Sequence, residues 1–191
     1  MIVVFALVLL CVFGFYFVGI YNGLVGLKTQ LERAWSNIDV ILKQRFDEIP
    51  QLIQIIEQYV QYESDILQKL IEARTQYGAA NNVSEKIHAS NDMSLALRGV
   101  AAIGENYPDL KSNNNFTQLQ GRISALEESI SDRREGYNEA VTNFNTRIAQ
   151  FPDMLAAQFL GYREQQLFKA SEAEKEKPNL TMKLPNFKKS V

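Results

Sequence analysis

No charged side chain occurs before Lys28, and Met1 to Ile20 also lack proline and carry only two glycines, Gly14 and Gly19. Twenty such residues at about 1.5 Å rise span roughly 30 Å, the hydrocarbon thickness of a bilayer. The 20 positive and 22 negative side chains therefore all fall in the later part of this 191-residue chain. One part is built for lipid and the rest for water, and the net charge of −2 conceals the division. Tyr16 and Tyr21 stand toward one end of the apolar run, where amphipathic rings favour the interface.

A cleaved signal peptide is the rival reading. It needs a basic lead, a shorter apolar core and small residues before the cleavage point. Here only Met1 precedes the run, Tyr21-Asn22-Gly23 follow it, and no Ala-x-Ala appears. Cys11 follows Leu9 and Leu10 rather than the small residues of a lipidation site, so it reads as a small apolar residue in lipid. Lys28 and Arg33 lie within reach of the bilayer on the C-terminal side. That Lys/Arg bias favours a cytoplasmic bundle, and two charges leave the periplasmic or extracellular side open.

Beyond the anchor, apolar residues recur at steps of three and four. The first set is Leu24, Leu27, Leu31, Trp35, Ile38, Leu42, Phe46 and Ile49; the second is Leu52, Ile56, Tyr59, Ile66 and Leu70. The clearest is Phe116, Leu119, Ile123, Leu126, Ile130, Tyr137, Val141, Phe144, Ile148 and Phe151. This spacing draws one apolar stripe along a helix. In the last run the phase slips between Ile130 and Val141, as at a coiled-coil stutter, with Arg133 near the seam. No strand-like alternation stands out.

Pro50 is expected to start or kink a helix, and the Gly78–Ser84 stretch to form a turn, with Ser84 opening the next helix. Tyr107-Pro108-Asp109 closes a shorter helix, Asn113 to Gln150 makes the longest, and Asp153 to Leu160 adds a turn or two before Gly161. The fold class is all-α. An N-terminal transmembrane helix leads into a long antiparallel four-helix bundle with a short fifth helix, and the first helix runs unbroken from lipid into the bundle. Residues 1–22 form the anchor, 23–168 the bundle and 169–191 a flexible tail. The tail's Lys183, Lys188 and Lys189 are read as solvated.

Chemical constellations are missing. One Cys and one His exclude a disulfide framework, a four-thiolate zinc site and any pair of histidine ligands within a chain. Glu85-x-x-His88 is half of a di-iron motif whose second half would need another His, so His88 reads as a surface residue. Cys11 belongs in lipid and His88 in water, so they cannot act together. No Gly-x-Ser-x-Gly elbow or phosphate-binding glycine loop is present. Glu127, Glu128, Asp132 and Glu135, interleaved with Arg122, Arg133 and Arg134, read as a solvated helix face. Arg133, and Asn138 and Asn145 beside Tyr137 and Phe144, are candidates for setting register along the seam. Trp35 and Tyr59 read as core or interface anchors. The sequons at Asn82, Asn115 and Asn179 carry no weight without a known host. No catalytic, cofactor-binding or metal residue is assigned. No cofactor, nucleic acid or small-molecule substrate is expected, and the chain is not read as an enzyme.

The motif order nonetheless resembles a known family. Tyr21-Asn22-Gly23-Leu24-Val25, Ala34-Trp35-Ser36-Asn37-Ile38-Asp39-Val40-Ile41-Leu42-Lys43, Arg45 and Ile49-Pro50 are similar to the opening of the LemA family. Glu72-Ala73-Arg74, Asn106-Tyr107-Pro108-Asp109-Leu110-Lys111, Asn115-Phe116, Leu119-Gln120, Glu127, Tyr137-Asn138, Val141, Asn145 and Phe151-Pro152 continue it. Phe159, Gly161 and Phe168 resemble its closing motif. Departures are Phe46-Asp47-Glu48 before Ile49-Pro50, Phe144 in place of a Tyr, and an aromatic displaced around Gly161. The resemblance implies an N-terminally anchored helical bundle in a bacterial membrane and no established reaction. One group within the family is associated with building magnetosome membranes.

Two functional readings follow. The first is a membrane-anchored scaffold or interaction protein that self-associates, as a homo-oligomer or with unknown protein partners, to organise or shape the membrane. The alternative is a tethered sensory or regulatory module signalling through the first helix. A hydrolase or metal enzyme would need His88, and neither is expected.

Overall fold

The computed structural model describes residues 1–59 and 64–169. Among the described residues six helices follow in order: α1 (Ile2–Glu57), α2 (Ser64–Ala79), α3 (Val83–Asn106), α4 (Pro108–Lys111), α5 (Asn114–Ala149) and α6 (Asp153–Phe159). No strand occurs among the described residues. The four long helices form the bundle, α6 is the expected short fifth, and α4 is a single turn that the sequence reading merged into its neighbours. The tail from Ala170 onward and the Asn179 sequon lie outside the described residues.

α1 is 56 residues long, roughly 84 Å at helical rise. Its first part is long and apolar enough to cross a membrane and is exposed on every side. Burial begins at Ile20 and Leu24, and the stripe then continues through Leu31, Ile38, Leu42, Arg45, Ile49, Leu52 and Ile56. From Leu31, with the part-buried Trp35 included, the steps alternate four and three without a slip.

Pro50 corrects the expected boundary. It neither starts a helix nor ends one: α1 runs through it to Glu57, and the break comes after Gln58. Proline lacks the N–H that would bond the carbonyl four residues back, here that of Phe46. The Arg74 Nε of α2 donates to that carbonyl at 3.5 Å, while the guanidinium lies 4.3 Å from the centre of the Phe46 ring. A neighbouring helix thus supplies the donor that proline withholds.

α5 packs along α1 and α2 along α3. α1 and α5 run antiparallel. Asn113, at the start of α5, donates from Nδ2 to the Tyr59 hydroxyl at 2.9 Å, and Trp35 meets Tyr137 edge-on at 5.5 Å. At the opposite end Arg147 lies beside Gly23. One continuous core joins all four long helices. Close approach matters at Gly104, where an added Cβ would stand 3.1 Å from the Phe116 ring.

Asparagines begin two of the helices. Asn82 caps α3 by accepting from the Glu85 N–H at 2.9 Å, so the helix opens one residue before the expected Ser84. Glu85 in turn accepts from the Asn81 N–H at 2.7 Å, an arrangement close to a capping box. Asn113 caps α5 through the N–H groups of Asn115 and Phe116.

Candidate functional site

A fully buried arginine stands in the C-terminal part of α1. The alternating stripe reaches Arg45 where an apolar residue belongs, and Arg45 is completely covered. Apolar spacing alone places Phe46 here, yet Phe46 is only half-buried. Arg45 Nη1 donates to the Ser94 hydroxyl at 2.8 Å and to Glu127 Oε1 in a short ion pair. Nη2 donates to the Ser90 carbonyl at 3.1 Å and to the Ser90 hydroxyl at 2.8 Å. Ser94 Oγ also lies 2.8 Å from Glu127 Oε2 and 3.1 Å from the Ser90 carbonyl, so its single proton serves one of the two at a time. The planar guanidinium thereby ties α1, α3 and α5 at one level, with a geometry that an ammonium cannot reproduce.

Glu127 is accordingly not part of a solvated face, which corrects its grouping with Glu128, Asp132 and Glu135. Those three are exposed. Glu127 borders a cleft of about 260 Å³ whose other lining residues include Leu52, Leu97, Ile123 and Ser124. No second carboxylate, His or Cys lines it. The Glu127 carboxylate is engaged by the buried Arg45 guanidinium, which holds it toward the α1–α3–α5 junction.

The seam of α5 also differs from expectation. Arg133 is exposed; the seam residue is Arg134, whose guanidinium lies 4.5 Å from the centre of the Phe168 ring. Through Ile130 the steps are three and four. One extra step of four then leads to Arg134, and the alternation resumes through Tyr137, Val141, Phe144 and Ile148. That extra step is the stutter.

Asn138 and Asn145 hold a peptide. After α6 the chain turns at Gly161, with φ at 69°, where the Tyr162 N–H reaches the Ala157 carbonyl at 2.9 Å and the Gly161 N–H reaches that of Gln158 at 3.1 Å. This is a Schellman ending, which favours glycine at its left-handed position. Residues 163–169 carry no helix and pass back along α5. Asn145 accepts from the Gln165 N–H at 2.9 Å and donates to its carbonyl at 2.8 Å. Asn138 does the same with Phe168, at 2.7 and 3.1 Å. Tyr137 donates to the Gln166 carbonyl at 3.1 Å, and Asn91 of α3 donates to that of Lys169 at 3.0 Å. Phe168 is fully buried. Side-chain amides thus provide the main-chain partners that a sheet would otherwise provide.

The remaining candidates are dispersed. His88 is exposed beside Gln166, its Nε2 3.4 Å from the Gln166 amide nitrogen, while Glu85 is engaged in capping. Cys11 is exposed on the apolar part of α1. Among the described residues no group of three or more His, Cys, Asp or Glu is arranged to hold a metal. Tyr77 donates to Asp39 at 3.3 Å, and Asp39 also pairs with Lys86 at 2.7 Å. Burial, then the charge of Asp39, pushes the Tyr77 phenol far above its usual range, and burial likewise raises Tyr137. Both remain neutral donors at physiological pH.

The LemA family model matches residues 34–182, which contain Arg45, Arg74, Glu127, Asn138, Asn145 and Phe168. The chain belongs to the LemA family. Among curated relatives, a protein LemA from Metamycoplasma hominis is 26% identical over 175 residues, covering 91% of this chain and 80% of the relative. Magnetosome proteins MamQ 1 and MamQ 2 of Paramagnetospirillum magneticum are each 20% identical over 179 residues, covering 80% of this chain and 66% of theirs. Together with the exposed apolar start of α1, these relatives mark a membrane protein.

Proposed function

We propose that this protein is a membrane-anchored scaffold whose bundle self-associates at a bacterial membrane and helps to organise or shape it. The observation that carries this reading is the continuity of α1, since the apolar segment and the bundle's central stripe lie on one helix. Such a helix holds the bundle at a set height above the bilayer. The likeness to proteins named for the magnetosome supports a role in membrane organisation. Lys28 and Arg33 favour the cytoplasmic side. Labelling a cysteine placed in residues 170–191 of intact cells tests that orientation, with protection expected and labelling from outside overturning it.

Native mass spectrometry and electron microscopy of the full chain in mild detergent test the scaffold itself. Oligomers or co-purified partners are expected; a strict monomer without partners overturns it. The unbroken helix also favours a second reading, a regulatory module that signals through α1. It predicts that a helix-breaking insertion near Gly23 or Gly26 changes a downstream output while the bundle stays folded.

A further inference from the structure

α6 is a seven-residue helix with two unlike faces. Its small residues Ala156 and Ala157 are buried against Ile20 and Leu24 of α1, in a cluster separate from the main core. Leu155 and Phe159, one turn apart on the other side, are 53% and 87% exposed, and Phe151 just before the helix is 78% exposed. Elsewhere on the bundle, exposed large apolar residues such as Val40, Ile71 and Leu95 are scattered singly. Here they gather within nine residues, beside the point where α1 stops being exposed on all sides.

The height of this patch follows from α1. If the hydrocarbon ends near Ile20, Leu24 stands about 6 Å above it. The headgroup layer on each side is roughly 5–8 Å deep, so a helix seated on Ile20 and Leu24 stands within that layer. The local charges agree with this placement. The α6 acid Asp153 is buried and paired with Arg147 at 2.9 Å. Tyr21 is exposed at the same level, and Lys28, the first charged residue of α1, follows further up.

We propose that α6 is a second bilayer contact, with Phe151, Leu155 and Phe159 inserted at the headgroup–acyl boundary of the membrane that α1 crosses. A single spanning helix can rotate about its own axis. A second contact to one side fixes which face of the bundle looks away from the membrane and limits its tilt. Apolar side chains at a boundary of this kind bind in proportion to the area they bury. The proposal depends on the transmembrane reading of α1, and its test separates the two.

The test uses the full chain in phosphatidylcholine–phosphatidylglycerol nanodiscs, with Cys11→Ser and one nitroxide label at a time. The labelled sites are Phe159→Cys, Phe13→Cys within the apolar part of α1, and Leu95→Cys on α3. Collisions with oxygen and with a water-soluble nickel chelate report depth. The expected result is several-fold preference for oxygen at both Phe159 and Phe13, and preference for nickel at Leu95. Nickel preference at Phe159 with oxygen preference at Phe13 overturns the α6 contact and leaves the span intact. Protection of Phe159 from both reagents indicates cover by a second copy and also overturns it. Nickel preference at Phe13 overturns both. If the Phe159 variant does not fold, Leu155→Trp in a Trp35→Phe background replaces it. Quenching by brominated lipid is expected there, and its absence overturns the proposal.

Discussion

At the residue scale, Arg45 is fully buried, and Ser90, Ser94 and Glu127 keep its charge paired. A buried charge deprived of its partner typically loses about 3–5 kcal/mol. Glu127→Gln preserves shape and hydrogen-bond reach but removes the countercharge, so we expect a loss of about 3 kcal/mol in denaturant unfolding of the detergent-solubilised protein. Arg45→Met combined with Glu127→Leu should recover most of that loss, because an apolar pair of similar volume carries no desolvation cost. The measured coupling between the two sites checks the account. Tyr77 and Tyr137 make a second residue-scale prediction. Their phenols are held protonated in the fold, whereas an unfolded tyrosine ionises near pH 10. The unfolded state therefore binds fewer protons above about pH 10, and stability present below that point falls as pH rises. The slope is up to about 1.4 kcal/mol per pH unit for each group. Unfolding midpoints measured from pH 8 to 11 should show this decline, and Tyr77→Phe should make it shallower.

At the element scale, two backbone irregularities are met by side chains from elsewhere. Proline in a helix interior costs about 3 kcal/mol, yet α1 continues through Pro50 while Arg74 donates to the released carbonyl of Phe46. Arg74→Leu should therefore destabilise the native chain by about 1 kcal/mol more than it does a Pro50→Ala chain, where the backbone N–H is restored. A double-mutant cycle in thermal unfolding reads that difference. The peptide after α6 depends in the same way on Gly161 and on the amides of Asn138 and Asn145. Gly161→Ala forces a Cβ into the left-handed region and should cost about 1–2 kcal/mol. Asn138→Ala with Asn145→Ala should raise amide exchange at Gln165 and Phe168 while exchange in the middle of α5 is unchanged.

At the scale of the whole molecule, α1 joins its exposed apolar segment to the core, because α6 packs on Ile20 and Leu24 while α5 packs further along the same helix. Inserting seven residues after Gly26 keeps the helical face and lifts the bundle by roughly 10 Å. We expect the main core to keep its exchange protection while Ala156 and Ala157 lose theirs, as read by hydrogen exchange in nanodiscs.

Much of this architecture was legible in the chain. The charge-free start and the three-and-four spacing depend only on local composition and on 3.6 residues per turn, so the anchor, the long helices and the α5 stutter could be read directly. The candidate site was legible only in fragments. Arg45, Arg74, Glu127, Asn138 and Asn145 stood in the motifs that carry the family resemblance, yet periodicity ranked Phe46 above Arg45 because it rewards apolar side chains. The unbroken alternation from Leu42 through Arg45 to Ile49 is the one signal from which a buried charge could have been read.

The sequence by itself determined where the charge-free apolar segment ends and the amphipathic helices begin, and which faces of the helices seek each other. Only the tertiary structure decided that Pro50 lies within a helix, that Arg134 rather than Arg133 faces the seam, and that two asparagines hold a passing peptide. The reason is physical. Apolar patterning is a property of one helix, whereas the satisfaction of a buried guanidinium or a freed carbonyl depends on atoms that neighbouring helices bring from far along the chain.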